Sequence, residues 1–266
     1  MSSPLHVVRA GTDGPPLVLV HGSATDSSTW TIQLAGPLPR RYRVIAYDRR
    51  GAGRSPNRPG VAWHTIEEHA AELVALIADL DEPAILAGSS CGAVVVLEAC
   101  RRAPGRIRGA IAIEPPLAPS DDTSLAPLGF VADLDRLAAA DGPGAAAQRF
   151  LVTVLGEAAW ARLPRMYQER ASREWPQIRG DCYALDAYRV GYPTLGAIAT
   201  PIRLLGGDRS APYFRPTLEA LARALPAATV TTVAGAGHML HADAPRAFAD
   251  AVDALAAATA VGSTAG

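Results

Sequence analysis

The chain has 266 residues, of which 49% are hydrophobic and 19% charged, with a formal net charge of −1. That is the balance of a globular domain, large enough to bury about three-quarters of its unfolded-chain surface without metal or disulfide staples. A charge so near zero argues against nucleic acid or an anionic membrane as partner, and the absence of Lys among the 25 basic residues excludes Schiff-base and P-loop chemistry.

The N-terminal stretch MSSPLHVVRAGTDG lacks a charged leader followed by an apolar run, so no secretory signal is expected. No apolar stretch reaches the roughly twenty residues that span a bilayer. Short apolar runs bounded by turn residues predict buried strands at residues 17–20, 43–47, 84–87, 109–113, 202–205 and 229–233. Amphipathic, helix-length segments lie between most of them, at 66–80, 93–102, 217–225 and 245–258. This alternation predicts an α/β fold whose mostly parallel sheet carries helices on both faces, with every parallel strand ending on one ligand-binding rim.

From 117 to 200 no strand is predicted, only helices at 132–140, 145–155, 158–171 and 182–189 separated by Gly and Pro. The expected organisation is a core of residues 1–116 and 201–258, a helical lid of 117–200 over the rim, and a disordered tail of 259–266. Cys91, Cys100 and Cys182 cannot all pair within one chain and match no zinc spacing. Reduced thiols and a cytoplasmic location are expected.

Gly88-Ser89-Ser90-Cys91-Gly92 joins a predicted strand to a predicted helix. G-x-S-x-G in that setting is a nucleophile turn: glycines permit the tight bend, and the central Ser90 hydroxyl projects above the sheet at a helix N-terminus. The Cys91 N–H is then one oxyanion donor. His21-Gly22 ends another strand, and the following loop offers a second donor, from Ser23 or alternatively Gly22. His21 is read as structural. Gly237-His238 follows the last strand on a Gly-flanked loop, from which an imidazole can take the Ser90 proton. Trp30, Trp175 and Tyr188 are candidates for the substrate pocket.

Together VLVHGS, VIAYDRRGAGRS, GSSCGA and GAGHMLHADAP resemble the α/β-hydrolase fold superfamily over essentially the whole chain, with Asp48 and Arg49 in a structural turn. The resemblance implies a Ser–His–acid triad. In most members the acid follows the strand after the lid, in a pattern like G-x-x-D. Here that stretch reads Gly207-Asp208-Arg209-Ser210, and Ser210 at the aligned position cannot supply the charge. Glu114, at the end of the preceding strand, resembles the catalytic glutamate of some members, including lactonases that open zearalenone. Glu114 is therefore favoured, with Asp208 as the alternative.

The resemblance implies a serine esterase or lactonase acting on a small, largely apolar molecule. It implies no metal and no organic cofactor, and leaves the oligomeric state open. C–C bond hydrolysis, cofactor-free perhydrolysis and a ligand receptor on the same fold are the alternatives.

Overall fold

A computed structural model describes residues 4–260. The chain begins with β1 (Val7–Ala10), β2 (Pro16–Val20), a short helix α1 (Thr31–Ala35) and β3 (Arg43–Tyr47). Helix α2 (Ile66–Ala78), β4 (Ala84–Ser89), α3 (Cys91–Arg102) and β5 (Ile107–Ile113) follow. A helical insertion comes next: α4 (Phe130–Asp141), α5 (Pro143–Leu155), α6 (Glu157–Arg162), α7 (Arg165–Arg173), α8 (Trp175–Ala187) and α9 (Tyr192–Leu195). The chain then returns to the sheet through β6 (Ile202–Gly207), α10 (Phe214–Ala224), β7 (Ala228–Val233), α11 (Leu240–Asp243) and α12 (Pro245–Ala260).

The seven strands form one sheet in the order β1-β3-β2-β4-β5-β6-β7, parallel except where β1 pairs with β3. Strands β2 and β4 are buried along their whole length, as a sheet covered on both faces requires. Two large apolar clusters, one for each face, pack around Val18, Leu86 and Val95 and around Leu17, Ile85 and Phe248. The parallel strands end together, so the segments after β2, β4, β5, β6 and β7 share one rim.

The strand β1 is absent from the sequence expectation. It has four residues, sits at the edge and is only half-buried, so it carries no apolar run to detect. The helix expected over 158–171 is two helices, because Pro164 lacks the N–H that would continue the first. Helix α8 starts earlier than expected, at Trp175, with Pro176 in its first turn, where proline's missing N–H costs nothing. Thr259 and Ala260, expected in the disordered tail, are the last residues of α12, and residues 261–266 lie outside the described residues.

The insertion has a small core of its own around Leu134, Ala147, Trp175 and Ile178. Its C-terminal part does not share it: Ala184, Tyr188, Leu195 and Ile198 join the main core. The packing boundary therefore falls inside α8, before the expected division at residue 200.

Candidate active site

Strand β4 ends at Ser89 and α3 starts at Cys91, leaving Ser90 as the whole turn. Its backbone sits at φ 54°, ψ −126°, a conformation that costs a non-glycine residue about 1–3 kcal/mol. The Ser90 N–H donates to Ile113 O at 2.8 Å, tying the turn to the end of β5. The flanking glycines are sterically required. A Cβ on Gly88 would lie 2.3 Å from Gly92 O, and one on Gly92 would lie 2.4 Å from Val20 O. Ser90 occupies the N-cap position of α3, yet its side chain makes no capping bond, so the hydroxyl is not consumed by the helix. The N–H of Cys91 belongs to the first turn, where no intrahelical acceptor exists. The Cys91 thiol itself is fully buried, and burial pushes its pKa far up, which leaves it no nucleophilic character.

Across the end of β5 lies Glu114, 1% exposed and also at positive φ (44°). Both carboxylate oxygens are engaged. Oε2 accepts from His238 Nδ1 at 2.6 Å, and Oε1 accepts from the Gly207 N–H at 2.8 Å. With a carboxylate that only accepts, Nδ1 is the donor of this bond, and in the neutral ring that tautomer leaves the lone pair on Nε2. Phe214 stacks on the imidazole, with ring centroids 4.5 Å apart and 13° between planes, and Tyr213 packs on Phe214. Among the described residues Ser90 and His238 share no hydrogen bond; such contacts are often loose without substrate and tighten in the reacting complex. Asp208 is elsewhere: it is exposed, and its carboxylate accepts from the Gly235 N–H at 2.8 Å. Ser210 Oγ is buried without a partner.

The loop after β2 closes the arrangement. Gly22 lies against the Ser90 turn, since a Cβ there would sit 3.0 Å from Ser90 Cβ. His21 Nδ1–H donates to Gly22 O at 2.7 Å, while its Nε2 accepts from the Arg49 N–H at 2.9 Å. Burial, with the Arg49 charge, lowers the His21 pKa to about 4, so this ring is neutral and fixed in one tautomer. Ser23 is half-buried and is followed by Ala24 at φ 60°. Among the described residues Ala24, Ser90 and Glu114 are the non-glycine positions with positive φ, and all three sit on this rim. Backbone strain of this kind concentrates where function over-determines geometry.

The three aromatic residues expected at the pocket are placed differently. Trp30 is fully buried against His241 and Phe248, under the sheet. Trp175 belongs to the insertion's own core. Tyr188 is buried in the main core, with its hydroxyl donating to Glu98 at 3.0 Å. The aromatic ring against His238 is Phe214, with Tyr213 packed on it, at the start of α10, where no helical periodicity marks them in the sequence. A groove of about 520 Å³ lined by Asp121, Tyr192 and Arg223 does not include Ser90, Glu114 or His238. No group of three or more side chains able to hold a metal occurs among the described residues, and no helix there is long and apolar enough to cross a membrane.

Residues 17–251 match the alpha/beta hydrolase family. A non-heme chloroperoxidase of Streptomyces lividans is 38% identical over 116 residues, which is 42% of this chain and 41% of that protein. The chain spans about two-fifths of the length of the curated relatives it matches. A thermophilic esterase from Thermogutta terrifontis superposes with a TM-score of 0.78 at 25% identity, covering 96% of this chain and 93% of the esterase. An enol-lactonase from Burkholderia xenovorans shares the fold with a TM-score of 0.78 at 23% identity, over 95% of this chain and 96% of its own.

Proposed function

The chain belongs to the alpha/beta hydrolase family, and from that premise we propose a serine hydrolase that cleaves the ester or lactone bond of a small, largely apolar molecule. The observation that carries this reading is the His238–Glu114 hydrogen bond beside the strained Ser90 turn. It leaves an oriented imidazole with a free base nitrogen on the rim that presents the hydroxyl.

In the proposed reaction His238 Nε2 takes the Ser90 proton as Oγ attacks the acyl carbon. The oxyanion is received by the N–H groups of Ser23 and Cys91, the latter at the positive end of α3. Glu114 holds the imidazolium. That imidazolium then gives its proton to the departing alkoxide, leaving an acyl group on Ser90. In the second half His238 takes a proton from water, the hydroxide attacks the acyl carbon, and Ser90 Oγ leaves and regains the proton. With a lactone the alcohol stays attached to the acyl chain, and the product is a hydroxy acid. Tyr213, packed on the Phe214 that stacks on His238, and Met239, next to His238 in the chain, are exposed large hydrophobic residues, which favours an apolar substrate. The helices of 117–200 act as the lid over this rim, and the three buried free thiols fit a cytoplasmic location.

The resemblance to a chloroperoxidase favours one second reading, in which peroxide replaces water in the second half and a peracid is released. Initial rates on p-nitrophenyl esters and simple lactones, for the wild type and Ser90→Ala, test the first reading. Turnover abolished by the substitution supports it. Halide oxidation dependent on a carboxylic acid and peroxide, with esters inert, would favour the second instead.

A further inference from the structure

The loop that carries Gly22 and Ser23 is held mainly by groups outside itself. Arg49, in the turn after β3, is 1% exposed and uses its guanidinium in two directions. On one side Nε donates to His21 O at 3.1 Å, and Nη2 donates to Gly22 O at 3.0 Å. On the other, Nη1 and Nη2 form a fork on Asp181 of α8, at 2.9 and 2.7 Å. Asp181 is itself only 3% exposed. A second side chain of α8, Gln177, donates its amide to Thr25 O at 3.0 Å and, more weakly, to Gly22 O at 3.4 Å. Helix α8 thus reaches the loop beside the nucleophile through a buried ion pair and an amide.

The direction of these bonds matters more than their number. Gly22 O is drawn by His21, Arg49 and Gln177 at once. No peptide bond among the described residues is cis. In a trans peptide the N–H points opposite to the C=O, so pinning Gly22 O turns the Ser23 N–H the other way. The guanidinium is itself held by its bidentate pair with Asp181, so the Gly22 carbonyl cannot rotate without losing a charge-assisted hydrogen bond from a fixed donor in a low-dielectric interior. Burial would raise the Asp181 carboxyl, but the Arg49 charge and hydrogen bonds outweigh it and lower its pKa to about 2, so the pair stays ionised throughout the neutral range.

We propose that Arg49, locked by Asp181 of the helical insertion, is the positioning residue that sets the Gly22–Ser23 peptide for oxyanion binding. This rests on the serine hydrolase reading of Ser90. Arg49 touches neither the reacting atoms nor Ser90; it acts through the loop. The guanidinium charge is neutralised by Asp181, so its contribution is orientation and not a field at the acyl oxygen. The insertion then does more than cover the rim, because it supplies the carboxylate that keeps the second oxyanion donor in place.

The test separates positioning from mere structural support. Removing Asp181 alone would strand a buried cation, so the main variant is the double substitution Arg49→Met/Asp181→Leu. Replacing a buried ion pair by apolar residues of similar volume is often neutral for stability. Arg49→Lys is the second variant. It keeps a cation for Asp181, but an ammonium cannot make the fork and also reach both carbonyls. Wild type is first reacted with a fluorophosphonate and assayed on p-nitrophenyl butyrate; failure of both strikes the serine hydrolase reading and this proposal with it, whereas the variant results below bear on this proposal alone.

For each folded variant kcat and KM are then measured, with the inhibition constant of phenylboronic acid, which forms a tetrahedral anion on a catalytic serine. The expected result is a kcat on the order of 10²-fold lower with KM within about threefold, and a boronate inhibition constant that rises alongside. A kcat within about threefold of wild type, or a loss expressed in KM alone, would overturn the proposal. So would unfolding of both variants, which would make the pair a requirement of the fold.

Discussion

Replacing Glu114 by Gln changes one oxygen for an amide nitrogen with almost no change in shape, at a site where both oxygens already accept hydrogen bonds. The amide offers one acceptor and one donor. Its partners are unequal: the Gly207 N–H is a backbone donor that cannot change, whereas His238 can shift its proton between ring nitrogens. Facing the amide NH₂ towards Gly207 would leave two buried donors opposed, at about 1–3 kcal/mol. The amide oxygen therefore turns to Gly207, and its NH₂ turns to Nδ1. His238 must then carry its proton on Nε2, the nitrogen that accepts from Ser90 in the proposed mechanism. Wrong tautomer and lost countercharge together lower kcat by about 10³–10⁴-fold in triads of this kind, equivalent to about 4–5.5 kcal/mol of barrier.

Saturating initial rates on p-nitrophenyl butyrate measure the loss, and circular dichroism melting shows whether the fold survives. Asp208→Asn is the companion variant. Asp208 is exposed and bonded to the Gly235 N–H, so its replacement is expected to leave kcat near wild type. The reasoning is refuted if Glu114→Gln keeps more than about a tenth of wild-type kcat while melting normally. It is equally refuted if Asp208→Asn is the variant that collapses.

Three further outcomes are expected. Gly22→Ala places a Cβ 3.0 Å from both Ser90 Cβ and Ser89 O, so kcat falls at least about tenfold with a small change in melting temperature; wild-type turnover would show that the loop has room to move. Phe214→Leu removes the ring stacked on His238, an interaction of about 0.5–1.5 kcal/mol, and lowers kcat about two- to tenfold; an unchanged kcat would reduce Phe214 to packing alone. Stability also depends on acid. Burial first of all lowers His21 and His241 from 6.5 to about 4, so between those values the unfolded chain binds protons that the fold refuses. Their contribution is fully present above pH 6.5 and is lost as the pH falls towards 4, on the order of 3 kcal/mol for each. Below 3.8 the lowered Asp181 adds to the loss. A melting temperature unchanged from pH 7 to 4.5 would contradict this.

The core was legible because its signal is local. The run Pro16–Val20 is apolar throughout and buried throughout, and residues 84–88 of β4 are the same, so strand assignment needed no tertiary information. The edge strand β1 was not, because a half-buried four-residue strand containing Arg9 has neither an apolar run nor clean alternation. Proline misled in both directions. Pro164 ends one helix and begins the approach to another, whereas Pro176 sits harmlessly in the first turn of α8. Large aromatics carry a weaker signal: burying so much apolar surface is favourable anywhere in the fold, and Trp30, Trp175 and Tyr188 each pack in an apolar cluster, so their size alone does not mark a pocket.

The acid is the part of the site where chain position and space diverge. Reading G-x-x-D after β6 finds Ser210, and the nearest carboxylate, Asp208, is turned out to solvent. Yet β5 and β6 are parallel neighbours in register, with Ile113 opposite Leu205, and the Glu114 N–H donates to Leu205 O at 3.1 Å. The end of β5 therefore lies beside the end of β6. A glutamate leaving β5 needs only to lean across the neighbouring strand to meet the loop after β7. There the Gly207 N–H at the end of β6 donates to Glu114 Oε1 at 2.8 Å. The positive φ of Glu114 aims the side chain along this path. In the proposed triad the carboxylate has moved one strand along the sheet while the histidine it serves has stayed, and a backbone N–H at the end of β6 holds its second oxygen.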